Sequence, residues 1–193
     1  MLQNTFSAIE AVSEICQQTS ALGTYGDYFA YSQNVMISEV QLQLAKLYVV
    51  DRDSHSLPEI IKTANSLFTE KYHQSTGYNP HKSYQELKEL LADLERQLEG
   101  FATTIRNLKK LRNKDLAHLD KSIRDVVSRN KLIGNNPVFL KEVKELIDFS
   151  FEAPSRIIEI MFNVAPTFRP RDYVDELQMI ARAIEKQEND ELR

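Results

Sequence analysis

YQELKELLADLERQLEGFATTIRNLKKLRNKDLAHLD runs from Tyr84 to Asp120. An apolar stripe runs through it at Tyr84, Leu87, Leu91, Leu94, Leu98, Phe101, Ile105 and Leu108, in alternating steps of three and four. That spacing keeps one stripe of a helix apolar. The stretch therefore predicts one long helix, from about Tyr84 at least to Arg112, with a buried seam. The next step of four lands on Arg112. A cation where carbon should be buried costs several kcal/mol unless something pairs with it. Two readings account for it: a structural ion pair to Asp115 or Asp120, or an anion site facing a bundle seam or a subunit interface.

The flanking sequence is helical as well. Phe6, Ile9, Val12 and Cys16 have helical spacing within about Thr5 to Gln18. Ile37, Val40, Leu44 and Leu47 form the inner stripe of a helix over Asp27 to Val50. Ser56-Leu57-Pro58-Glu59 has the form of a capping box, opening a helix that carries Ile60, Ile61, Ala64, Leu67 and Phe68 to about Tyr72. Ser83 and Glu86 repeat that signal ahead of the long helix. Asn130 to Pro137, with Gly134-Asn135-Asn136, reads as a loop. A helix then starts near Pro137 with Phe139, Leu140, Val143, Leu146 and Ile147, and is kinked or restarted at Pro154. A last amphipathic helix, Tyr173 to about Gln187, packs on the bundle or on a partner. No strand pattern competes, so the expected class is all-α: an antiparallel bundle with additional N- and C-terminal helices. Residues 1–193 are expected to form a single helical domain, with 171–193 as its C-terminal amphipathic segment.

Composition narrows the function. With 42% apolar and 27% charged residues the chain is that of a globular protein, not a disordered one. One cysteine, Cys16, excludes an internal disulfide framework. No stretch approaches eighteen apolar residues and no secretion signal opens the chain, so a cytoplasmic protein with no membrane partner is expected. The net charge of −4 is unevenly spread. Arg106, Lys109, Lys110, Arg112, Lys114, Lys121, Arg124, Arg129 and Lys131 face only Asp115, Asp120 and Asp125, which makes this window +6 and the remainder −10. A basic stripe on an acidic body suits a confined polyanion site, although charge alone also fits a solvated helix face.

Few groups carry chemistry. There is no Gly-rich phosphate cradle, no His-x-x-x-His pair and no Gly-x-Ser-x-Gly elbow, so neither a metal nor any other cofactor is expected. His55, His73 and His81 read as solvated. Arg112 and His118 remain. Six residues of α-helix rotate by about 600° and rise about 9 Å, which sets them about 120° apart. To meet on one phosphate, either the helix unwinds nearby or the residues of two copies converge. His118 follows Lys114 by four residues and Asp115 by three, so both can neighbour it.

Arg112-Asn113-Lys114-Asp115-Leu116-Ala117-His118-Leu119-Asp120 resembles the Arg-(polar)-x(3–4)-His signature of the HEPN superfamily, and in particular its abortive-infection branch. Leu44-Ala45-Lys46-Leu47-Tyr48, followed by Asp51-Arg52-Asp53 and Ser56-Leu57, is similar to that branch's second helix, acidic loop and next helix start. The resemblance implies a metal-independent endoribonuclease, a toxin or antiphage effector that cleaves RNA by attack of the 2′-OH on the adjacent phosphate. It implies Arg112, His118 and Asn113 as catalytic residues. Lys109, Lys110, Lys114 and Lys121 would bind substrate, with Asp115 and Asp120 in support. The residue types suit this chemistry: imidazole carries protons near neutral pH and a guanidinium fork holds two phosphate oxygens. One suitable histidine per chain for two proton transfers calls for a homodimer with a composite site. The alternative implied by the same likeness is a non-catalytic module that binds RNA, a nucleotide or a partner protein, for example beside a nucleotidyltransferase antitoxin. An antitoxin or other defence partner fits either.

Overall fold

Serine caps open the central helices where the sequence places them. In a computed structural model, which describes residues 2–18, 26–50, 55–76, 82–116, 126–164 and 182, the Glu86 carboxylate accepts the Ser83 N–H at 2.6 Å while the Glu86 N–H donates to Ser83 Oγ at 3.2 Å. Ser56 donates its N–H to Glu59 at 3.1 Å. These bonds satisfy helix-end donors that have no intrahelical acceptor. The two Ser83 donors hold the Glu86 carboxyl below its ordinary range, first through the backbone N–H and then through the hydroxyl. A carboxyl depressed by folding contributes stability above its unfolded pKa and loses it as pH falls through the folded value. An NMR titration should therefore place the Glu86 midpoint below that of a free glutamate, and Ser83→Ala should raise it toward the ordinary value. An unmoved midpoint in that variant would refute the cap.

The chain is all-α, and every element among the described residues is helical. In order these are α1 (Leu2–Gln18), α2 (Gly26–Tyr48), α3 (Leu57–Leu67), α4 (Glu70–Thr76), α5 (Tyr84–Gly100), α6 (Ala102–Leu111), a π turn (Arg112–Leu116), α7 (Val126–Asn135) and α8 (Leu140–Phe162). They fall into two compact units, one of α1 with the start of α2 and one running from Gln41 through α8. None of the described helices is long and apolar enough to cross a membrane. The expected helix at Tyr173 to Gln187 lies outside the described residues, apart from Arg182.

In the first unit Phe6, Ile9 and Val12 of the expected stripe are buried, and the Cys16 side chain lies outside the described residues. The Gln33 amide ties α2 to α1 by donating to the Ile9 carbonyl and to Ser13 Oγ. In the second unit α3 packs against both α5 and α8. Leu57, Ile61, Ala64, Leu87, Leu91, Leu94, Leu146 and Ile147 are buried there. Lys88 reaches from α5 to the carbonyls of Asn65 and Phe68, one cation serving the carbonyl end of α3. The Phe68 ring stacks on Tyr84 with centroids 5.7 Å apart. His73, expected in solvent, is half-buried beside both rings.

Three expectations change and a fourth narrows. The inner face of α2 is Val40, Leu44, Ala45 and Tyr48, not Ile37 and Leu47. Tyr48 turns inward because its hydroxyl donates to the Leu146 carbonyl at 2.6 Å, and burial pushes that phenol well up. The third helix stops at Leu67, and α4 restarts after Thr69, whose Oγ accepts the Tyr72 N–H at 3.2 Å. Residues 130–135, expected as loop, are the body of α7. The Asn136 amide donates to the Leu132 carbonyl at 2.9 Å and occupies an acceptor at the helix end, where Gly134 costs little. Finally, α8 passes through Pro154 without a restart and ends at Asn163, in the left-handed region at φ 53°.

Candidate active site

The decisive correction concerns Arg112. The expected long helix is two helices, joined at Phe101 (φ −87°, ψ 1°), whose N–H bonds back to the Leu98 carbonyl at 3.1 Å. An uninterrupted α-helix already lags a strict seven-residue repeat by about 20° per heptad. After the break α6 buries its own face, Thr104, Leu108 and Leu111, while Ile105 is only half-buried. The core position is therefore Leu111, 4% exposed, and Arg112 sits one residue further round, half-buried at the boundary with solvent. No cation lies in dry carbon here, so no buried ion pair is required.

Two bonds fix α6 in its rotation. The buried Thr104 hydroxyl donates to Glu142 Oε1 at 3.0 Å, and Glu142 Oε2 accepts the Phe139 N–H that opens α8 at 2.9 Å. On the outer side the Asn107 amide donates to the Pro137 carbonyl at 2.9 Å. Arg106, Lys109 and Lys110, all exposed, then fall within about 60° of one direction, with Thr104, Leu108 and Leu111 opposite them. From Ala102 to Lys114 there are five cations and no acid. Lys109 and Lys110 occupy the last turn of α6, where they also oppose the negative end of its dipole.

The chain then widens into the π turn Arg112–Leu116. Arg112 Nε donates to Asn113 Oδ1 at 3.0 Å. The amide thereby orients the guanidinium plane, a role for Asn113 not foreseen in its sequence. Asn113 and Lys114 are exposed. Asp115 has its backbone in the turn, and its side chain lies outside the described residues, as do His118, Asp120 and Lys121 in full. The structure thus brings Arg112 and Asn113 together beside Lys109, Lys110 and Lys114. Arg106 shares the exposed face of Lys109 and Lys110, with Arg112 about 120° round the helix from it, and was not among the expected site residues. The step of three or four from 106 to 109 and 110 signals it. Among the described residues no three His, Cys, Asp or Glu side chains gather as metal ligands would.

A protein-family model described as AbiU2, of HEPN type, matches residues 7–184. The chain belongs to the AbiU2 family of HEPN proteins. The match spans both stretches that carry the likeness, Leu44 to Leu57 and Arg112 to Asp120, and makes the protein an abortive-infection HEPN module. No curated protein and no solved structure matches it. Within this AbiU2 chain the first stretch closes α2 with buried Leu44, Ala45 and Tyr48 and reopens at the Ser56 cap; Asp51-Arg52-Asp53 lies outside the described residues.

Proposed function

We propose that this AbiU2 protein is a metal-independent endoribonuclease that acts as a toxin or antiphage effector in the cytoplasm. What supports this most is Arg112, its guanidinium held by Asn113 at the end of a helix segment with five cations and no acid. Such a fork grips non-bridging phosphate oxygens and favours the charge that develops when the 2′-OH attacks. His118 takes the hydroxyl proton or protonates the leaving 5′-oxygen, as an imidazole can near neutral pH. A second protomer supplies the other histidine. Lys109, Lys110, Lys114 and Lys121 draw the RNA backbone in, Asp120 and Asp115 support the histidine, and the amide of Asn113 donates to phosphate.

The purified protein incubated with total RNA should leave 2′,3′-cyclic phosphate and 5′-hydroxyl ends, with undiminished rate in EDTA. Light scattering should give a dimer. Rate lost with EDTA, or an active protein that is strictly monomeric, overturns the mechanism. No cleavage together with a stably co-purifying protein selects the binding-module reading.

A further inference from the structure

Between the end of α2 and the flank of α6 lies an open groove of about 400 Å³. One wall is Val49, Val50 and Pro58, and the other is Leu98, Ala102 and Ile105, above the buried Tyr48. Three charged residues border it: Arg106 and Lys109, both on the cationic face just described, and Glu99. The volume lies at the small-ligand end of the pocket range. An apolar slot with cations along one edge suits a flat apolar ring tethered to phosphates. Lys109 precedes Arg112 by one helical turn, and Arg106 precedes it by six residues, about 9 Å along the axis.

We propose that this groove is a nucleobase subsite for single-stranded RNA, placed one nucleotide from the Arg112 phosphate, and that Glu99 makes it prefer guanine. The inference rests on the ribonuclease reading above and names its substrate class. Arg106 and Lys109 lay their aliphatic stems along the walls and their charges on the flanking phosphates. RNA offers such a ring only where the strand is unpaired and a base can leave its stack. The carboxylate oxygens of Glu99 accept hydrogen bonds. Guanine alone among the four bases presents two adjacent donors, N1–H and the N2 amino group, on its pairing edge. Adenine and cytosine present one amino group there and uracil one imino N–H, so the two carboxylate oxygens match guanine best.

The test uses the full chain carrying His118→Ala, so that RNA is bound and not cut, with short fluorescent single-stranded oligonucleotides. One contains a single guanosine among uridines, a second replaces it with inosine, and a third is all uridine. The guanosine strand should bind about tenfold more tightly than the inosine strand, the order of one hydrogen bond to a charged group. Ala102→Trp, at an exposed position, should plug the slot and weaken guanosine binding by about tenfold or more, the order of one lost base contact. Val50→Trp fills it from the opposite wall and should do the same, with unfolding midpoints confirming that both variants fold. Glu99→Gln should erase the guanosine–inosine difference while binding persists. Equal binding of all three strands, or binding untouched by both tryptophans, overturns the subsite. Protein with His118 intact that cuts RNA equally well when Ala102→Trp or Val50→Trp plugs the groove overturns it too and leaves the ribonuclease standing. Groove-dependent, guanine-selective binding by a wild-type protein that cuts nothing supports the subsite and removes the ribonuclease instead.

Discussion

His118→Ala and Arg112→Ala should each abolish measurable RNA cleavage, and for different reasons. Removing a positioned proton carrier is expected to slow the step by about 10²–10⁴-fold. Removing a group that neutralises charge developing on the phosphate is expected to cost about 10²–10³-fold. Arg112→Lys should restore little, because a point charge lacks the planar fork and has no Nε–H to give Asn113 Oδ1. Asn113→Ala should slow the reaction less than Arg112→Ala, since the guanidinium stays and only its orientation and one amide donor to phosphate are lost. Single-turnover rates on one defined RNA, with circular dichroism and light scattering to show that fold and assembly persist, make the comparison. Wild-type rates for either alanine variant would dismiss the assignment of that residue.

The second large effect separates neighbours in sequence. Leu111→Ala is expected to lower stability by about 2–5 kcal/mol, and Leu108→Ala likewise, because each side chain is nearly or wholly buried. Arg112→Ala is expected to cost about 1 kcal/mol or less, since the site is half in solvent. Urea unfolding midpoints for the three variants give the order directly. A destabilising Arg112→Ala with a tolerated Leu111→Ala would restore the unbroken seam and place the guanidinium in the core.

That pair also shows how far the chain could be read without coordinates. Helix starts at Ser56 and Ser83 were legible because a cap is a local arrangement: serine, a first turn and a glutamate three residues on suffice to satisfy the exposed N–H groups. The stripe Leu87, Leu91, Leu94 was legible because side chains three and four apart share a face. The phase beyond Phe101 was not. One tight turn reset it, and whether Ile105 or Thr104 faces inward depends on Glu142, 38 residues away, offering an oxygen to Thr104. The inward turn of Tyr48 depends in the same way on the Leu146 carbonyl, 98 residues away.

The site divides along the same line. Residue type and order were enough to single out the cationic run and the Arg112–Asp120 string, and with it the family, because composition and spacing are properties of the chain itself. That Arg112 stands at a solvent boundary and leans on Asn113, and that Arg106, Lys109 and Lys110 share the outer face, follows from how α6 is rotated. Rotation is set by which partners a helix finds across the bundle, and those partners lie far along the chain.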